Sequence, residues 1–180
     1  MAMDLITTNT SSGAATSDFT TGIDSTYKLY IFKFYDVNPA TDNAGISFQV
    51  NASDDVGGDF DESYITSTFF NAAHRENDST TGLNYVASED QAQGTAYQKL
   101  VYGTGNDSDS SAAGELFLFN PASTTYVKHF YSRFNEMYNA ELTGDRYAAG
   151  YINQTLALSE ISFKMSSGNF DGVIKMYGVG

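Results

Sequence analysis

Ile161-Ser162-Phe163-Lys164-Met165-Ser166-Ser167-Gly168-Asn169-Phe170-Asp171-Gly172-Val173-Ile174-Lys175-Met176-Tyr177-Gly178-Val179-Gly180 is the stretch on which the fold turns. Side chains alternate across a strand, so Ile161, Phe163 and Met165 share one face while Ser162 and Lys164 take the other. After a turn, Ile174 and Met176 supply the apolar face and Lys175 and Tyr177 point away from it. Gly168, Asn169 and Gly172 suit the left-handed backbone angles of such a turn. The spacing predicts a β-hairpin whose apolar side lies in the core.

The same period of two runs upstream. Tyr27 to Tyr35 carries large apolar groups in both alternating sets and reads as a strand covered on both faces, broken by Asn38-Pro39. Ile46, Phe48 and Val50 alternate with Ser47 and Gln49 as a one-sided strand. Further β-type runs cover Tyr64 to Ala73, Leu83 to Ala87, Gln98 to Tyr102, Glu115 to Phe119 and Tyr147 to Tyr151, with one helical turn expected at Ser88 to Gln93. Thr125 to Met137 is the longest run. Tyr126, Lys128, Phe130, Ser132 and Phe134 fall on one of its faces and Val127, His129, Tyr131 and Arg133 on the other. Roughly nine to eleven strands at this spacing predict an all-β protein, an antiparallel β-sandwich of jelly-roll-like form. Residues 1–17, rich in Thr, Ser and Asn, are expected as a flexible N-terminal arm that either hangs free or docks on a neighbouring subunit. Residues 18–180 are expected as a single sandwich domain.

Composition narrows the function classes. Thirteen Tyr, thirteen Phe and sixteen Gly against two Pro favour pleated, half-buried surfaces. With no cysteine, disulfides, thiolate zinc sites and cysteine nucleophiles are excluded. A formal net charge of -13 opposes association with phosphate backbones or anionic membranes, so nucleic acid is not an expected partner. The opening residues lack the basic and apolar regions of a signal peptide. No apolar run approaches the ~20 residues of a membrane span, so membrane insertion is not expected either.

Few residues suggest chemistry. His74 and His129, the only histidines, fit no zinc motif, and no Gly-x-Ser-x-Gly elbow exposes a nucleophile. Two acidic loops, with Asp54, Asp55 and Asp59 in one and Asp107 and Asp109 in the other, offer the oxygens that calcium takes. Counted as an EF-hand from Asp107, the turn glycine is replaced by Ala112 and the bidentate glutamate by Leu118, so solvated loops are the better reading. No cofactor is expected, calcium being the one ion the loops admit.

Three stretches together carry a family likeness: Asp18-Phe19-Thr20-Thr21-Gly22-Ile23-Asp24-Ser25-Thr26-Tyr27 leading to Val37-Asn38-Pro39-Ala40-Thr41-Asp42; Gly114-Glu115-Leu116-Phe117-Leu118-Phe119-Asn120-Pro121; and Met165 through Gly178 as quoted above. In these the chain resembles virion structural proteins of tailed bacteriophages, small β-sandwich modules that occur alone or at the ends of tail-fibre-like chains, frequently in phages of marine bacteria. The likeness spans nearly the whole chain beyond the arm. Its motifs are turns and core strands, so it carries over no catalytic residue. It implies a non-enzymatic accessory subunit of the virion, a tail fibre or capsid decoration, that assembles with itself as a trimer and with capsid or tail proteins. A receptor module binding a host surface glycan and a polysaccharide depolymerase are the alternatives.

Overall fold

The computed structural model describes residues 2–54, 57, 59–60, 62–138 and 141–180. Among them lie thirteen strands: β1 (Met3–Ala14), β2 (Thr16–Phe19), β3 (Leu29–Pro39), β4 (Ile46–Ala52), β5 (Ile65–Arg75), β6 (Thr81–Tyr85), β7 (Ala92–Gly94), β8 (Gln98–Lys99), β9 (Ala112–Phe119), β10 (Lys128–Tyr138), β11 (Leu142–Ile152), β12 (Leu158–Met165) and β13 (Phe170–Val179). Every pairing is antiparallel. The larger sheet runs β1-β13-β3-β9-β10-β11-β5-β6, with β7 beside β6 on β5; the smaller runs β2-β12-β4-β8. The protein is an all-β sandwich, as its alternating runs predict. No helix among the described residues is long and apolar enough to cross a membrane.

The core is a chain of aromatic rings bridging the sheets. Phe163 of the smaller sheet meets Phe32 at 5.4 Å and Phe34 at 5.0 Å between ring centroids. Phe34 continues to Phe134 at 4.8 Å, and Phe48 reaches Phe130 at 5.0 Å. Offset and edge-on rings of this kind add about 0.5–1.5 kcal/mol per pair beyond the area they bury. Ile161, Met165, Ile174 and Met176 fill the space between them, all buried.

The terminal stretch keeps its predicted faces but not its predicted pairing. β12 lies between β2 and β4 in the smaller sheet, while β13 lies between β1 and β3 in the larger. The segment from Ser166 to Asn169 therefore crosses from one sheet to the other, and the two apolar faces meet across the core instead of lying side by side. Gly168 at φ +70° makes the crossing; a β-carbon there would sit 2.3 Å from Oγ1 of Thr41.

Other expectations need correction. The N-terminal segment expected as a flexible arm holds β1, paired with β13 from Met3↔Val179 to Ala14↔Phe170, and the start of β2. Its own apolar content is small, as the sequence suggests. Backbone pairing holds it instead, aided by Ile6 against the core and by Asn9 Nδ2, which donates to the Asp18 carbonyl at 2.9 Å. Met1 lies outside the described residues. β3 passes through Asn38 to Pro39, with a bulge at Asp36 (φ 51°); its ladder with β9 ends at Val37↔Ala112, so the proline's missing N–H is not needed there. β4 is buried on both faces. Its Gln49 Nε2 donates to the carbonyls of Ser63 (3.0 Å) and Thr95 (2.8 Å), and loop segments cover the polar side. The helical turn at Ser88 is a hydrogen-bonded bend, Glu89 N to Val86 O at 3.0 Å.

Candidate functional site

The larger sheet is wider than the smaller one. Beyond the aromatic core, the segment around Tyr102 and Gly103 lies against the inner face of β10 and β11. Two charges lie in this zone. Glu136 continues the inward series Lys128, Phe130, Ser132, Phe134 along β10, and Arg146 projects inward from β11 one register step away. Both are buried, at 1% and 4% exposure.

Arg146 Nε donates to Glu136 Oε1 at 2.6 Å, and its Nη2 closes on the same oxygen. Glu136 Oε2 accepts from Gly103 N at 3.3 Å. The guanidinium lies over Tyr102, 5.3 Å from the ring centroid, and against Gly144. Only glycine leaves this room, since a β-carbon at 144 would stand 2.5 Å from Nη2. Burial pushes the Glu136 carboxyl up to about 7, while the Arg146 charge and its hydrogen bond pull it down. A buried pair of this sort is held by reciprocal need, because removal of either partner leaves the other charged and unsolvated.

Beside Arg146 opens a cavity of about 350 Å³, walled by Tyr102, Tyr138, Asn71, Asn84, Val86 and Leu142. The Tyr102 and Tyr138 rings stand 6.1 Å apart. Ring faces, amide groups and a guanidinium whose charge is already balanced suit a neutral, hydroxyl-rich ligand better than an anion. Lys128 is the third inward charge. Its Nζ donates to the carbonyls of Gln154 (2.7 Å) and Leu156, and burial lowers its pKa.

The residues singled out from sequence lie elsewhere. Asp54 and Asp59 are exposed in the segment after β4, Asp55 is outside the described residues, and Asp107 and Asp109 are exposed between β8 and β9. The Asp107 carbonyl accepts from Asn38 Nδ2 at 3.0 Å. No group of three or more His, Cys, Asp or Glu able to hold a metal ion occurs among the described residues. His74 contacts Asp78 at 3.0 Å on an exposed turn, and His129 faces the Tyr151 ring on the outer side of the sheet. Glu136 and Arg146 escape a reading built on acidic loops and motifs. Continuing the β10 alternation two residues past Phe134 would have found the carboxylate on the face of Phe130 and Phe134.

No protein-family model matches the chain, and no curated protein matches it.

Proposed function

We propose that the chain is a non-enzymatic structural subunit of a tailed-bacteriophage virion, a fibre or capsid-decoration module that assembles with copies of itself and with other virion proteins on the particle surface. The observation that carries this reading is the strand order. Taken without the inserted β5, β6, β7, β10 and β11, the eight remaining strands run first-eighth-third-sixth in one sheet and second-seventh-fourth-fifth in the other. That order supports a jelly roll, an architecture recurrent in viral capsid and lectin domains. Fold alone does not assign function; the resemblance of the turn and core stretches to phage structural modules supplies the direction. The test is proteomics and immunogold labelling of particles purified from the phage that encodes the chain. A fixed copy number and a discrete location on the particle are expected. Absence from purified particles overturns the reading.

The cavity beside Arg146 favours a second reading, a receptor module for a host surface glycan. Saturable binding of host polysaccharide, abolished by Tyr102→Ala, is the outcome that would support it. A flat titration rejects it.

A further inference from the structure

The outer face of the larger sheet carries exposed aromatic residues on β3, β5 and β10. Its register places Thr8, Lys175, Lys33, Glu115, Arg133, Tyr147, Phe70 and Tyr85 in one row across eight strands. Lys33 meets Glu115 at 3.5 Å, and Arg133 Nη2 meets Asp145 at 2.8 Å. Along the row, charge therefore runs positive on β3, negative on β9 and positive on β10, with Tyr147 on β11; Asp145 lies one same-face step further along β11, opposite Asn135. The next row holds Ile31, Phe117, Tyr131 and Ala149 on the same strands. Its two central rings stack at 4.5 Å.

The opposite charges at the centre of this row, Glu115 and Arg133, are their own complement under a half-turn. With the axis along the boundary between β9 and β10, each strand lies opposite its counterpart on the other side. Glu115 then meets Arg133, and Lys33 meets the Tyr147 ring. In the neighbouring row Phe117 meets Tyr131, and the large Ile31 meets the small Ala149. The side chains of Tyr131, Phe70 and Tyr35 are 45%, 40% and 40% exposed here, which leaves contact area for a partner.

Charge also selects the partner. The chain carries -13 overall, so two copies repel at most orientations. In the central rows three cations, Lys33, Arg133 and Lys175, stand close to two carboxylates, Glu115 and Asp145. Six strands about 4.8 Å apart and about eight residues long present roughly 780 Å², close to the roughly 800 Å² per partner of a stable interface.

We propose that a second copy of this chain docks on the outer face of the larger sheet, about a two-fold axis between β9 and β10 that sets Glu115 of each copy against Arg133 of the other. The proposal rests on the self-association part of the function proposed above and does not require the virion. Such isologous contacts are self-complementary by symmetry.

The test is the solution mass of the full chain by sedimentation, for the wild type, for Glu115→Arg and for Arg133→Glu. The wild type should give twice the 19.6 kDa chain mass. Each variant alone should place like charges across the axis and raise the dissociation constant about 10-fold or more. An equimolar mixture of the two variants restores opposite charges at both contacts and should return the dimer. Far-UV circular dichroism checks that both variants fold. A wild-type monomer overturns both this inference and the self-association reading. A wild-type dimer untouched by either variant, or a wild-type trimer, overturns this interface while leaving self-association in place.

Discussion

Glu136 and Arg146 place a titration inside the fold. The Glu136 carboxyl moves from an ordinary value of 4.5 to about 7 on folding, chiefly through burial. Between those values the folded state holds a proton that the unfolded state has released, so this group's contribution favours the fold at low pH and is lost as pH rises through about 7. The expected outcome is a higher urea midpoint at pH 5.5 than at pH 8. Glu136→Gln should flatten that difference, because the amide stays neutral at both pH values, as the carboxyl is at pH 5.5. Opposite pH dependence in the wild type would remove the buried-acid reading. Gly144 supports the same pair by absence: Gly144→Ala should cost about 1–3 kcal/mol by displacing the guanidinium, measured as a fall in denaturation midpoint with little change in the spectrum of the folded state.

Strands show which part of this fold is legible in sequence. Alternation identifies the buried face of an element, and it does so correctly for Phe163 and Met165 on β12 and for Ile174 and Met176 on β13; on β10 it separates the two faces, of which that of Phe130 and Phe134 is the buried one. It contains no information on which strand lies alongside, because a period of two is the same whether the next strand pairs in the same sheet or crosses to the other. That is why the terminal stretch reads as a hairpin and folds as a crossover. Tyr27 to Tyr35 gives a related lesson. Its two apolar sets predict cover on both sides; the inner set is buried, and of the outer set Ile31 is buried while Tyr35 stands 40% exposed. The candidate site was less legible still, since Arg146 and Asn71 come together only through sheet register and Tyr102 reaches them from the segment after β8. Met176→Asp tests the inward face directly. An unpaired carboxylate would enter the aromatic core, and loss of cooperative thermal unfolding is the expected result; a normally folded variant would show that the face is assigned the wrong way round.

At the scale of the whole molecule, sequence-distant pairings dominate. β1 pairs with β13, β3 with both β13 and β9, and β5 with β11. Such topologies close large loops before contacts reward them, and refolding is expected in the milliseconds-to-seconds range characteristic of β-sandwiches. Stopped-flow fluorescence of the tyrosines checks this; a main phase in microseconds would contradict it. The net charge of -13 acts at this scale as well, keeping the chains apart except where a local patch offsets it.

The pairing of β1 with β13 has a consequence for synthesis. Gly13 N donates to the Asp171 carboxylate across 158 residues of chain, and the whole β1 ladder spans similar separations. At about 5–20 residues per second, β1 emerges from the ribosome roughly 10–30 seconds before its partner exists. A hydrophobic strand left open for so long would seek another chain. Leu5-Ile6-Thr7-Thr8-Asn9-Thr10-Ser11-Ser12 is soluble enough to wait. The polarity that makes this segment look like a loose tail is what allows a strand made so early to be installed so late.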